Sequence, residues 1–182
     1  MPDQTPAAKR RRGAAHFSSR TKARKQALDI LFQADLMGTD PLVVLREAQL
    51  DADPPLREYA LDLVEGVAHR GGAIDKELEL ALDAGWSLDR MTRVDRCLAR
   101  IATYEIIREL VPVRVAIAEA LVLAGELSTD ESPAFLNGVL SAIARERPME
   151  LEDVEAAHEQ ELVDAPVPAS ETSGLEDDET DE

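Results

Sequence analysis

Apolar residues recur along this 182-residue chain at intervals of three and four, and no stretch alternates convincingly with period two. That spacing places them on one face of a helix and argues against strands. Ala23, Ala27, Ile30, Leu31 and Ala34 form a first stripe, opening at Ser18 or Ser19, with Gly38 just past its end as a C-cap. Asp40 as N-cap and Pro41 at the first helical position begin a short helix through Leu42, Val44, Leu45 and Ala48. Pro54 and Pro55 open a longer segment on Leu56, Tyr59, Ala60, Leu63, Val64 and Val67. It is expected to kink or break at Gly71-Gly72 and to resume through Ile74, Leu78 and Leu82. After a turn at Gly85-Trp86-Ser87, Thr92 with Asp95 makes a capping box for a helix that runs to about Glu109. Pro112 starts another helix. Ser132-Pro133 start the last, which carries Phe135, Leu136, Val139, Leu140 and Ile143 inward until Pro148. Six or seven helices on short loops predict antiparallel bundles.

The core these stripes build must be aliphatic, because aromatics make up 3% of residues against 45% hydrophobic overall. A lone Cys97 forms no intramolecular disulfide. His16, His69 and His158 are too scattered to suggest a metal set, so no metal or cofactor is expected. No apolar run approaches the roughly 18 residues that span a bilayer, and no apolar signal segment follows the basic N-terminus. A cytoplasmic protein is expected.

Charge is segregated. The formal net charge is −17, yet residues 1–25 carry +7 from eight cations and Asp3. Residues 149–182 carry −14 and no Lys or Arg, and the middle carries −10. Three parts follow: a flexible basic arm over 1–17, a helical domain over 18–148 and a disordered acidic tail over 149–182. The basic run continues from Lys9, Arg10, Arg11 and Arg12 into Arg20, Lys22, Arg24 and Lys25, in the first turns of the first helix. Cations there oppose the helix dipole by a few tenths to about 1 kcal/mol each, so stability alone would not select them. A cationic helix N-terminus suits an anion, and phosphates of a nucleic acid suit it best. Arg93, Arg96 and Arg100 share a second face, for which pairing with neighbouring acids is at least as good a reading. The acidic tail is a candidate electrostatic competitor for the arm.

Four segments taken in order, ARKQALDILFQADL, VDRCLARIATYEI, VRVAIAEALVLA and FLNGVL, resemble the NusB family of transcription antitermination factors over roughly residues 18–147. The resemblance implies an all-α fold of two three-helix bundles packed roughly perpendicular, and no catalysis. It implies binding of boxA-type single-stranded leader RNA of ribosomal RNA operons together with the ribosomal protein NusE, within the RNA polymerase antitermination complex. It carries the RNA surface over to Arg20, Lys22, Arg24 and Lys25, with Lys9 to Arg12 as an extension and Glu131 and Phe135 as its continuation. Phe135 could stack on a base, although it also shares the apolar stripe of its helix. The partner-protein face carries over to Phe32, Asp89 and Asp95, of which Asp95 has its capping role as an alternative. Thr21 stands where the family often has another Arg. Within FLNGVL, Gly138 costs about 1 kcal/mol against Ala in a helix, which predicts a close neighbour.

Enzyme chemistry finds little support. No Ser lies in a nucleophile elbow and no glycine pattern forms a phosphate loop. Two other readings keep a place. One is an RNA-holding domain like those at the N-terminus of some ribosomal RNA cytosine methyltransferases. The other is a helical adaptor that offers its basic arm to an acidic protein.

Overall fold

A computed structural model describes residues 18–82 and 85–145. The basic arm over 1–17, the expected helix end at Pro148 and the acidic tail over 149–182 lie outside the described residues. The helices are α1 (Ser19–Met37), α2 (Pro41–Asp51), α3 (Glu58–Ala81), α4 (Arg93–Ile107), α5 (Val113–Leu127) and α6 (Ser132–Arg145). A single 3-10 turn, Leu88–Arg90, precedes α4, and the described residues include no strand.

Local chemistry sets most of the ends. Ser18 Oγ accepts the Thr21 N–H at 3.1 Å to start α1, and Gly38 ends it with φ 65°. The Asp40 carboxylate accepts the Leu42 N–H at 2.9 Å, one residue past Pro41. Helix α4 ends in a Schellman arrangement. The Leu110 N–H reaches Glu105 O at 3.0 Å and the Glu109 N–H reaches Ile106 O at 3.3 Å. Glu109 occupies the left-handed position at φ 52°, where glycine is usual.

Three expectations need correction. Helix α3 begins at Glu58 rather than at the prolines, because a residue followed by proline is driven out of the α region and Pro54 precedes Pro55. It then runs unbroken through Gly71-Gly72. Val67 on one side and Ile74 and Leu78 on the other are buried, and their packing outweighs the glycines' preference for other backbone shapes. Among the described residues Gly138 has no close neighbour, since a Cβ built there meets nothing within 4 Å. The close approach falls at Gly66 instead, where a Cβ would overlap the Tyr104 ring.

Helices α1, α2 and α3 pack on one another, and so do α4, α5 and α6. The two groups join where α4 lies against α1 and α3 and where α6 lies against α3. One contiguous core runs through both, and no aromatic ring is among its fully buried residues. Leu63, Ile74, Leu98, Leu123, Leu136 and Leu140 are among its largest members.

Candidate nucleic-acid and partner interface

Four cations were expected at the start of α1, and the structure divides them. Arg20 and Lys22 are exposed. The Lys25 side chain is also open to solvent, and its Nζ is 3.0 Å from the Asp29 carboxylate one turn along, an exposed pair worth little to stability. Arg24 corrects the expectation, because it is buried, with 2% of its surface accessible. It shares a face with Ala27, Leu28 and Leu31 at spacings of three, four and seven, which turns it toward the core.

Inside, Arg24 Nε donates to both oxygens of Glu105 on α4, at 3.0 and 3.2 Å. Its terminal nitrogens lie 2.8 Å from Glu105 Oε1 and 3.1 Å from Glu119 Oε2 on α5. Burial works against the Arg24 charge, but Glu105 and then Glu119 more than offset it and raise the guanidinium's pKa. The Tyr59 hydroxyl on α3 donates to Glu105 Oε1. Burial first, and then the Glu105 carboxylate, push the Tyr59 pKa up, so the phenol stays neutral. Arg20 completes the group, with its guanidinium 5.0 Å from the Tyr59 ring centroid. Thr21 is also buried and bonds Ser18 Oγ at 2.7 Å, so it ties the cap to the helix.

The second half of the expected RNA surface lies elsewhere. Glu131 is exposed in the turn before α6. Phe135 is half-buried against the core, with its ring centroid 6.0 Å from that of Trp86 at a tilt of 51°. Trp86 in turn carries the Arg90 guanidinium 4.4 Å above its ring, and Arg90 donates to Gly85 O at 3.2 Å. Nothing at sequence level marked this aromatic pair, because residues 86 and 135 meet only through the fold.

Asp95 is a further correction. It is 4% exposed, so its carboxylate does not face a partner. Its N–H donates to Thr92 Oγ1 at 3.1 Å, as a capping box requires. Its carboxylate, however, accepts the Ser132 hydroxyl at 2.9 Å and ties α4 to the start of α6. Phe32 is half-buried against the core and Asp89 is exposed on the 3-10 turn.

The Arg93, Arg96 and Arg100 face is paired with acids. Asp35 of α1 meets Arg96 at 2.7 Å, Arg93 at 3.2 Å and Arg100 at 3.6 Å. Arg100 also grips Asp75 with two hydrogen bonds, at 2.7 and 2.9 Å, and that contact raises its pKa against the effect of burial.

These contacts fix where the two segments lie along α4. Arg24 meets α4 at Glu105 and Ser132 meets it at Asp95, ten residues or about 15 Å apart along the helix axis. The cationic start of α1 and the Glu131–Phe135 segment therefore lie at opposite ends of α4. A single ligand touching both must be extended.

Two three-helix groups, with exposed cations at the leading end of the first helix, define an all-α protein. Among the described residues there is no cluster of three metal-ligating side chains, and no helix is long and apolar enough to cross a membrane. The NusB family model matches residues 21–145, and the chain belongs to that family. Its relatives include the transcription antitermination protein NusB of Kineococcus radiotolerans, 51% identical over 129 residues, covering 70% of this chain and 94% of that one. The protein of the same name from Cutibacterium acnes is 50% identical over 139 residues, covering 76% of this chain and 53% of the other. Among solved structures, NusB of T. maritima is 30% identical with a TM-score of 0.65, covering 76% of this chain and 98% of that one. A chain from the crystal structure of antitermination factors NusB and NusE in complex with dsRNA is 27% identical with a TM-score of 0.62, covering 70% of this chain and 97% of that one.

Proposed function

We propose that this chain is a non-catalytic antitermination factor that binds boxA-type single-stranded leader RNA of ribosomal RNA operons together with NusE. The bound pair joins the RNA polymerase antitermination complex in the cytoplasm. The carrying observation is that Arg20 and Lys22 face solvent at the positive end of α1, where a helix selected for stability alone would carry acids. Lys25 and the run from Lys9 to Arg12 extend that charge. Phosphate contacts from these groups supply affinity, and base contacts supply the sequence preference. The half-buried ring of Phe135, next to Glu131 at the far end of α4, is the candidate for a stacking contact. Phe32 and Asp89 are the candidates for the NusE face. Arg24 and Asp95 take no part in either surface, because their charged groups are bonded inside the protein.

Fluorescence anisotropy of a labelled boxA RNA, its scrambled counterpart and an RNA duplex, each with and without NusE over a salt series, tests the reading. The expected result is preference for the boxA strand that NusE strengthens. The logarithm of affinity should fall by about 0.7 per phosphate contact per log unit of salt. Replacing Arg20, Lys22 and Lys25 with Ala should flatten that slope by about two units or less, Lys25 being shared with Asp29. Equal binding to scrambled RNA, indifferent to NusE, would leave only an electrostatic patch on a helical scaffold.

A further inference from the structure

The start of α1 carries two solvent-facing cations in different settings. Lys22 has no aromatic ring beneath it among the described residues, whereas Arg20 lies over Tyr59 at 5.0 Å from the ring centroid. Tyr59 is itself held. Its hydroxyl donates to Glu105, Arg24 grips that same carboxylate at 2.8 to 3.2 Å, and the Arg24 guanidinium also lies over the ring at 5.6 Å. The ring is thus anchored from α4 and α1 while it offers its face to Arg20. A long exposed arginine ordinarily samples many rotamers and loses that freedom on binding. A guanidinium stacked on an anchored ring has already lost part of it, and its remaining N–H donors stay available to a phosphate or a base edge.

We propose that Tyr59 is a positioning residue for RNA recognition, holding Arg20 in the conformer that engages the RNA. The inference rests on the RNA-binding reading of α1 and deepens it. Tyr59 acts through Arg20, so its contribution to binding should vanish when Arg20 is removed.

A double-mutant cycle on the full-length chain tests this, read as anisotropy of labelled boxA RNA in the presence of NusE. Tyr59→Leu should weaken RNA binding about two- to fivefold. Arg20→Ala should weaken it at least as much. In the Arg20→Ala background Tyr59→Leu should add no further loss, whereas its effect should multiply with that of Lys22→Ala. Tyr59→Phe keeps the ring and should restore affinity to within twofold of wild type. Far-UV circular dichroism and NusE binding without RNA report the fold, and Tyr59→Met is the alternative should Tyr59→Leu not fold. An undiminished Tyr59 effect without Arg20 overturns the inference, as does full affinity in the Leu or Met variant. Loss of the fold in both would make Tyr59 purely structural and would overturn it too. If Arg20→Ala binds RNA as wild type does, the RNA reading of α1 falls first, and the inference with it.

Discussion

Arg24 and Lys22 are two residues apart, and their chemistry could hardly differ more. Removing Lys22 takes one exposed charge from the surface, and the stability change should stay within about 0.5 kcal/mol. Arg24→Ala would leave Glu105 buried with the Tyr59 hydroxyl as its one remaining partner among the described residues, and a broken buried pair costs about 3–5 kcal/mol. Urea unfolding should separate the two variants by that margin. Arg24→Lys should not restore the loss, since one ammonium cannot reproduce the two-point contact with Glu105 and the reach to Glu119. Cys97 gives a prediction in pH. Burial, and then the Asp35 charge, push its thiol from an ordinary 9.0 to about 12. A pKa raised by folding stabilises the protein fully below the unfolded value, and the stability is lost as pH rises through the folded one. Stability should therefore fall between pH 9 and 12, and Cys97→Ala should flatten the part of that fall that begins near 9. Tyr59 adds to the same decline at higher pH.

Within the helices, glycine shows why a residue type alone says little about what surrounds it. Gly138 and Gly66 both lie in helix interiors. Gly138→Ala should stabilise the protein by up to about 1 kcal/mol, because the new methyl meets open space and the helix loses a flexible residue. Gly66→Ala should destabilise it, because Tyr104 occupies the place of the methyl. Thermal unfolding of the two variants should move in opposite directions. A sequence carries the information for caps and stripes because Ser18, Gly38, Asp40, Pro41 and Thr92 act within a few residues of themselves. It hides Gly66 and Tyr104, which lie 38 positions apart and meet only after packing. The same limit explains Arg24. Its spacing to Leu28 and Leu31 pointed inward, and Glu105 interrupts the apolar run IATYEII, but neither alone names the other as its partner.

Across the whole chain, the surface that matters is set by charge segregation that the net value conceals. Deleting residues 149–182 removes −14 and should tighten RNA binding at low salt, with the gain fading as salt screens it. Equal affinity of the full and shortened chains at low salt would end the idea that the tail competes for the arm. The helices were legible from periodicity and their division into two groups of three came with the family resemblance, while the separation of the α1 cations from Phe135 was legible in neither, because it depends on how α4 lies between them. Helix α1 is fastened to α4 at both ends with opposite polarity. Near its start a cation of α1 meets Glu105, and near its finish Asp35 meets the arginines of α4. A helix that slid by a turn would separate both pairs, and one that docked backwards would set cation against cation and acid against acid. The joint is keyed like a plug that enters its socket one way round. A synthetic peptide of α1 added to a chain lacking it should therefore seat in a single orientation, with its cationic end on the same side every time.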